Sequence, residues 1–372
     1  MKKELFKTDF IYVDKYLVTI TFMLLVAGIT MVYSASSMIS IEKFNDPFFY
    51  FKRQFLWILI GVGAMFSVQQ FDYQKLEKWA GPLLVVSIFL LILVLIPSIG
   101  REVSGGRRWL PIGIGHFAFQ PSELVKITLL IFFASFLAKK KDQMKSLQFG
   151  FLPALAVLSL CTFLIFLEPD LGNAILIVSS VLTLFFFAGA RLVHILGFCL
   201  ASLPFMYYAL SSGFRLARMK AFLNPWEYAD GAGFQLIQSF YSFGRGGFFG
   251  EGLGNSQQKM LYLPEAHTDF IFSVIGEEFG LIGTCIIAGL FFLLAMRGFS
   301  IAKNASNDFG RYLAVGISIM ISYQALFNMA VTLGLVPTKG LPLPFISAGG
   351  SSMVFTLIGI GLLLSISRDS RQ

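Results

Sequence analysis

Along this 372-residue chain the apolar residues neither alternate nor keep to one face but run in solid blocks. Nine stretches without Asp, Glu, Lys or Arg reach 18 residues, at 16–41, 54–71, 79–100, 146–167, 171–190, 192–214, 279–296, 312–338 and 340–367. Each is long enough to cross about 30 Å of hydrocarbon as a helix. A tenth, 121–138, is interrupted by Glu123 and Lys126, three residues apart and so on one helix face, where they can pair. The pattern predicts an all-α integral membrane protein, one polytopic domain with ten transmembrane helices. They are placed at about 16–37, 54–71, 79–98, 121–138, 148–167, 171–190, 192–212, 269–296, 312–334 and 342–367. The first uncharged run, 16–41, is too long for the apolar region of a cleavable signal and is kept as the first span. An even number of crossings puts both termini on one side.

Charge chooses the side. The terminal segments and the loops facing with them hold 16 Lys and Arg, against seven in the opposite short loops, which places both termini in the cytoplasm. Composition agrees: 56% hydrophobic and 13% charged residues exclude an ordinary soluble domain, where about 25% are charged. Solid runs also exclude a transmembrane barrel, whose strands alternate. The net charge of +8 reads as anchoring to anionic headgroups, with no nucleic-acid partner expected. Cys161, Cys199 and Cys285 all fall in apolar runs and read as small buried hydrophobes.

One extracytoplasmic loop, about 214–268 between helices 7 and 8, is far longer than the usual ~4–6 residues and is expected to carry function. Phe234, Ile237, Phe240 and Tyr241 have helical spacing, which predicts a short amphipathic helix in the membrane interface. The glycines at 244, 246, 247, 250, 252 and 254 lack the Lys-Ser/Thr of a phosphate loop, leaving a flexible hinge or a close backbone approach to substrate. Residues 100–124 are too polar and glycine-rich to cross. Residues 334–352 combine Pro337, Pro342 and Pro344 with Lys339, and such irregular backbone belongs at membrane depth only when buried or lining a cavity, so this loop is expected to fold inward.

Charges inside spans need a partner or a task, at about 2.5–3.5 kcal/mol each on insertion scales. Glu123 and Lys126 either neutralise one another or line a water-filled substrate cavity. At least one of the adjacent Glu277 and Glu278 should face a polar cavity. Glu168 and Asp170 flank Pro169 and read as helix caps. Asp269 stands at the outer mouth of span eight beside Glu265, His267 and Thr268. Thr268 or Asp269 caps that helix, or Asp269 is a general base accepting a proton from a sugar hydroxyl while nearby cations hold a leaving pyrophosphate.

Several long words in one order carry a resemblance: GRRWLPIG (106–113), FQPSELVK (119–126), EPDLG (168–172), LNPWE (223–227), YLPEAHTDFIFSVIGEEFG (262–280) and PTKGLPLPFISAGGSS (337–352). From VYSASS (32–37) to the end of span ten the chain resembles the SEDS family (shape, elongation, division and sporulation). GLGNSQQKMLYLPEAHTDF and LNPWE look like its division and sporulation branch, FtsW and SpoVE, more than its elongation branch, RodA. The resemblance implies a peptidoglycan glycosyltransferase that polymerises lipid II into β-1,4-linked strands on the outer face of the bacterial cytoplasmic membrane, at the septum, releasing undecaprenyl pyrophosphate. It implies a class B penicillin-binding protein as transpeptidase partner, among other cell-division membrane proteins. The family's essential aspartate falls on Asp269, which would deprotonate the acceptor hydroxyl. Arg108, Glu123, Lys126, Lys259, Glu265, His267, Lys339 and Ser351 are the substrate-binding candidates. No bound cofactor is expected; a divalent cation, Mg or Mn, suits the pyrophosphate, although no ligand cluster specifies one. The alternatives are a lipid II flippase, for which a midplane charged site and repeated halves would be expected, and a non-catalytic divisome scaffold.

Overall fold

The computed structural model of the protein describes residues 13–103, 105–111, 118–211, 213–258 and 263–369. The apolar blocks become helices: α1 (Lys15–Phe44), α2 (Phe49–Gln70), α3 (Gln74–Leu95), α4 (Pro121–Lys140), α5 (Leu152–Leu167), α6 (Leu171–Phe187), α7 (Leu192–Leu210), α10 (Ile271–Lys303), α11 (Asp308–Thr332) and α12 (Gly350–Asp369). Between α7 and α10 lie α8 (Gly213–Leu223) and α9 (Phe234–Gly246). Nine of the described helices are long and apolar enough to cross a membrane, and α6 is apolar but shorter at 17 residues. The span expected at 171–190 therefore appears as a shorter helix, because the chain turns at Gly189, whose φ of 91° suits only a residue without Cβ.

Local chemistry sets several helix ends. Pro121 occupies the first turn of α4, where its missing N–H costs nothing. The Asp170 side chain accepts from the Asn173 amide at the start of α6, and Asn307 does the same for Gly310 at the start of α11. Asp14 caps α1 and also holds Arg297 of α10 at 2.6 Å and the Ser367 hydroxyl of α12. At that same end Tyr73 donates to Asp369, so the starts of α1, α3 and α11 and the ends of α10 and α12 are tied together. The functional candidates gather at the other end.

The helices α4, α11 and α12 are mostly buried in protein, whereas α7 is almost wholly exposed along an apolar surface. Large apolar side chains such as Phe22, Leu59, Phe89, Val193 and Phe292 face outward, as helices surrounded by lipid require.

Three segments differ from expectation. Three short strands, β1 (Arg101–Val103), β2 (Gly106–Pro111) and β3 (Ala118–Phe119), form a small antiparallel sheet in the order β1-β2-β3. The long connection contains the expected short helix, α9, and in addition α8 and a turn at Pro225–Tyr228 that were not expected. The last charge-free run starts as irregular chain, and α12 begins at Gly350 rather than near 342, because Pro342 and Pro344 supply no amide to a helix ladder. That irregular stretch does fold inward: Leu341, Leu343, Phe345 and Ile346 are buried.

Candidate active site

Asp269 lies in the turn preceding α10, outside the long helix. No side chain caps that helix: its N-cap residue is Phe270, and the Thr268 hydroxyl turns back to the Glu265 carboxylate at 2.8 Å. The helix-cap role for Thr268 or Asp269 is thus not realised. The turn is fixed through its main chain. The Asn328 amide donates to the Asp269 carbonyl at 2.8 Å and to the Leu341 carbonyl at 2.7 Å; the Ser347 hydroxyl donates to the Thr268 carbonyl, and the Ala348 amide to the His267 carbonyl at 2.9 Å. The inward-folded loop and the Asp269 turn are therefore one unit, held from α11. Gly340 lies against the carboxylate, where a Cβ would come within 2.6 Å of Oδ2.

Burial, reinforced by the Glu265 carboxylate, pushes the Asp269 carboxyl up to about 7. Arg218 and Arg108 oppose the shift, and Asp170 adds to it. Arg218, on α8, donates to the Thr338 carbonyl at 3.4 Å, and burial lowers its own affinity for a proton. Lys339 is pushed down to about 8 by burial and by the Arg215 guanidinium, with Asp170 opposing. Arg215 stacks over the Phe166 ring. Arg108, on β2, donates to the Glu168 carbonyl at 3.0 Å and the Pro169 carbonyl at 2.8 Å. Four cations, Arg108, Arg215, Arg218 and Lys339, thus share one electrostatic environment with Asp269 and Asp170. A carboxyl near 7 can exchange a proton at neutral pH, and the cations suit an anionic group beside it.

The other candidates fall in different places. Glu123 and Lys126 pair at 2.7 Å, at 2% and 5% side-chain exposure, so the mutual-neutralisation alternative is realised. They line a narrow crevice between α4, α11 and α12. They connect to the site indirectly: Lys126 donates to Gln324 at 3.0 Å, and Gln324 donates to the Pro342 carbonyl at 2.9 Å. His267 is buried and packs on Tyr50 in a tilted arrangement with ring centroids 4.6 Å apart; burial lowers its proton affinity, against Glu265. Glu265 is exposed in a left-handed turn, φ 56°. Ser351 joins α12 to the start of α4, accepting from the Gln120 amide and donating to the Ala118 carbonyl, both at 3.3 Å. Lys259 lies outside the described residues.

The Glu168 side chain caps no helix, although its backbone closes the end of α5. It is fully buried, its carboxyl oxygens have no hydrogen-bond partner among the described residues, and burial pushes it up to about 9, which keeps it neutral at pH 7. Asp170 takes the capping role alone and also accepts from Gln120. The pair Gln324 and Asn328, four residues apart in an apolar helix, was legible as one polar face that sequence reasoning passed over, as was the spacing of Arg215 and Arg218.

The fold and this site define a multi-pass helical membrane protein that gathers cations around one carboxyl at one end of its bundle. Comparison with known proteins makes the class specific. The chain belongs to the FtsW/RodA/SpoVE family of cell cycle proteins, whose family model matches residues 15–372. A probable peptidoglycan glycosyltransferase FtsW of Trichlorobacter lovleyi is 49% identical over 342 residues, covering 91% of this chain and 89% of that protein. The stage V sporulation protein E of Bacillus subtilis is 45% identical over 359 residues, covering 96% and 98%. A chain from a solved peptidoglycan synthase complex, described as coordinating polymerization and crosslinking, aligns with a TM-score of 0.78 at 29% identity over 97% of this chain and 99% of that one. The rod shape determining protein RodA of Thermus thermophilus aligns with a TM-score of 0.70 at 30% identity, covering 97% and 98%.

Proposed function

We propose that the chain is a peptidoglycan glycosyltransferase that polymerises lipid II, with Asp269 as general base. Asp269 takes the proton of the acceptor GlcNAc 4-hydroxyl as that oxygen attacks C1 of the donor MurNAc. The bond from C1 to the pyrophosphate oxygen breaks, undecaprenyl pyrophosphate leaves, and direct displacement converts the α-linked donor into a β-1,4 glycan bond. The leaving group departs as an anion and needs cations more than a protonating acid, a role suited to Arg108, Arg215, Arg218 and Lys339. The carrying observation is the buried Asp269 carboxyl, pushed up to about 7 and facing the charges of Arg218 and Arg108, with Lys339 and Arg215 linked to it through Asp170, in a chain whose relatives are named as peptidoglycan glycosyltransferases.

Glu123 and Lys126 act in this reading as a buried pair that supports the Lys339 loop through Gln324. Glu265 and His267 shape the Asp269 turn, Ser351 secures the neighbouring helix joint, and Lys259 is proposed from its family word alone. A resident metal fits poorly. Among the described residues no three of His, Cys, Asp or Glu gather as ligands, and Asp170 is already engaged by Gln120 and Asn173. A Mg or Mn ion would arrive with the pyrophosphate, and no step is routed through it.

The Lys and Arg bias supports cytoplasmic termini and an extracytoplasmic site end, hence the outer face of the bacterial cytoplasmic membrane, at the septum if the division branch holds. The solved synthase complex supports a class B penicillin-binding protein as transpeptidase partner, with other division proteins around it. The test is glycan-strand synthesis from lipid II by purified protein, with and without its cognate transpeptidase. Strands support the reading. Transbilayer movement of lipid II in proteoliposomes without strands would establish the flippase, and neither activity would leave a scaffold.

A further inference from the structure

The helix α10 is broken nine residues from its start: Gly280 stands at φ 63°, ψ −159° inside it. A break frees main-chain groups that a membrane-depth helix cannot leave unsatisfied. They are satisfied by the glycine segment that follows α9. The amides of Glu251 and Gly252 donate to the carbonyls of Glu277 and Glu278, both at 3.0 Å, while the amides of Leu281 and Ile282 donate to the carbonyls of Gly247 and Phe248 at 2.9 and 3.2 Å. Close packing explains the glycines. A Cβ on Gly246 or Gly250 would collide with the carbonyls of Gly276 and Glu278. At Gly246 and Gly250 the cluster is thus a backbone docked closely on α10.

The Glu277 side chain extends this docking. It is fully buried, and its carboxylate accepts from the Ser256 hydroxyl and from the main-chain amides of Gln257 at 2.9 Å and Gln258 at 3.4 Å. The Leu263 amide then donates to the Gln258 carbonyl at 2.8 Å, and the chain continues six residues to Asp269. Its neighbour Glu278 faces elsewhere, accepting from Ser34 of α1 at 2.6 Å.

We propose that Glu277 is a positioning residue for the proposed glycosyl transfer: its carboxylate clamps residues 256–258 to α10 and so fixes the segment that leads into the Asp269 turn. The inference rests on the reading of Asp269 as the base, and its chemistry is specific. All three groups on Glu277 can donate, and two are main-chain amides that can only donate. A glutamine has one acceptor oxygen and one donor nitrogen. Whichever way its amide is turned, its NH₂ meets a main-chain N–H. Glu277→Gln therefore breaks the clamp with almost no change of shape, whereas Glu277→Asp keeps an acceptor-only group.

The test is hydrogen–deuterium exchange of the 253–258 region in the full chain in nanodiscs, together with strand synthesis by the same preparations and their transpeptidase. Glu278→Gln serves as the exchange control, since its side chain accepts from Ser34 of α1. Glu277→Gln is expected to speed exchange of the Gln257 and Gln258 amides about ten- to a hundredfold. It is also expected to lower kcat about tenfold with KM for lipid II nearly unchanged, and Glu277→Asp should recover part of both. Unchanged exchange in Glu277→Gln would overturn the clamp, and raised exchange with unchanged kcat would overturn its positioning role. Exchange needs no activity, so a wild type inert towards lipid II would count against the proposed function while the clamp is still read.

Discussion

An alanine at position 340 perturbs the proposed base without touching its chemistry. The Cβ of Gly340→Ala would stand 2.6 Å from Asp269 Oδ2, where ordinary contact begins at 3.4 Å. The carboxylate must therefore retreat by roughly 0.8 Å. It can do so at little cost to the fold: position 340 is exposed, its φ lies outside the left-handed region, and the clashing atom is the end of a side chain. A base displaced by about 1 Å loses about 10²-fold in rate, close to 2.7 kcal/mol of transition-state stabilisation, whereas the change in stability should stay within about 0.5 kcal/mol. The assay is strand synthesis from lipid II at saturating substrate, with the melting temperature measured on the same sample. Wild-type turnover in Gly340→Ala would refute the reasoning, because the carboxylate position would not matter. Loss of folding in parallel with activity would refute it too, since the effect would then be structural.

Further outcomes follow from the same geometry. Strand synthesis should show a narrow pH optimum: it rises through about 7 as Asp269 loses its proton and becomes a base, and falls above about 8 as Lys339 loses its charge. Lys339→Arg should push the alkaline limb upward, and an unshifted limb would assign it to another group. Glu123→Gln strands the buried Lys126 charge and should cost about 3–5 kcal/mol, while the double variant Glu123→Gln, Lys126→Met recovers most of it; strictly additive losses in melting temperature and yield would show that the pair does not interact. Cysteines at Glu102 and Asn255 should react with an impermeant thiol reagent on intact cells and those at Lys141 and Lys303 should not, with the three natural cysteines replaced; labelling at 141 from outside would reverse the topology.

How much of this was legible depends on what a sequence pattern encodes. Apolar runs report helices directly, because lipid leaves a spanning segment no other way to satisfy its backbone, and the spans were readable for that reason. Their limits were less so: the run 340–367 contains no charge, yet Pro342 and Pro344 hold its first part out of helix. The three-residue spacing of Glu123 and Lys126 encoded their pairing. No local spacing encodes the meeting of Arg108, Arg218, Lys339 and Asp269, which come from four separate segments and are brought together only by tertiary packing. Asn328 and Gly340 show the same limit, one bridging two loops and the other leaving room for a carboxylate. Glu168 and Asp170 looked alike beside Pro169, and only burial separates the neutral acid from the cap.

The central claim is that the Asp269 carboxylate takes the acceptor proton, and Asp269→Asn tests it most directly. Asparagine keeps the size and the main-chain bond from Asn328 but cannot accept that proton at neutral pH. Burial raises the Asp269 carboxyl, so its anion costs folding stability as pH rises from about 4 to 7; the asparagine carries no such cost and should leave the protein at least as stable at pH 8. With lipid II binding retained, strand synthesis by the purified variant and its transpeptidase should fall about 10²- to 10⁴-fold. Near wild-type strand synthesis by folded Asp269→Asn would contradict the account and send the search to another base.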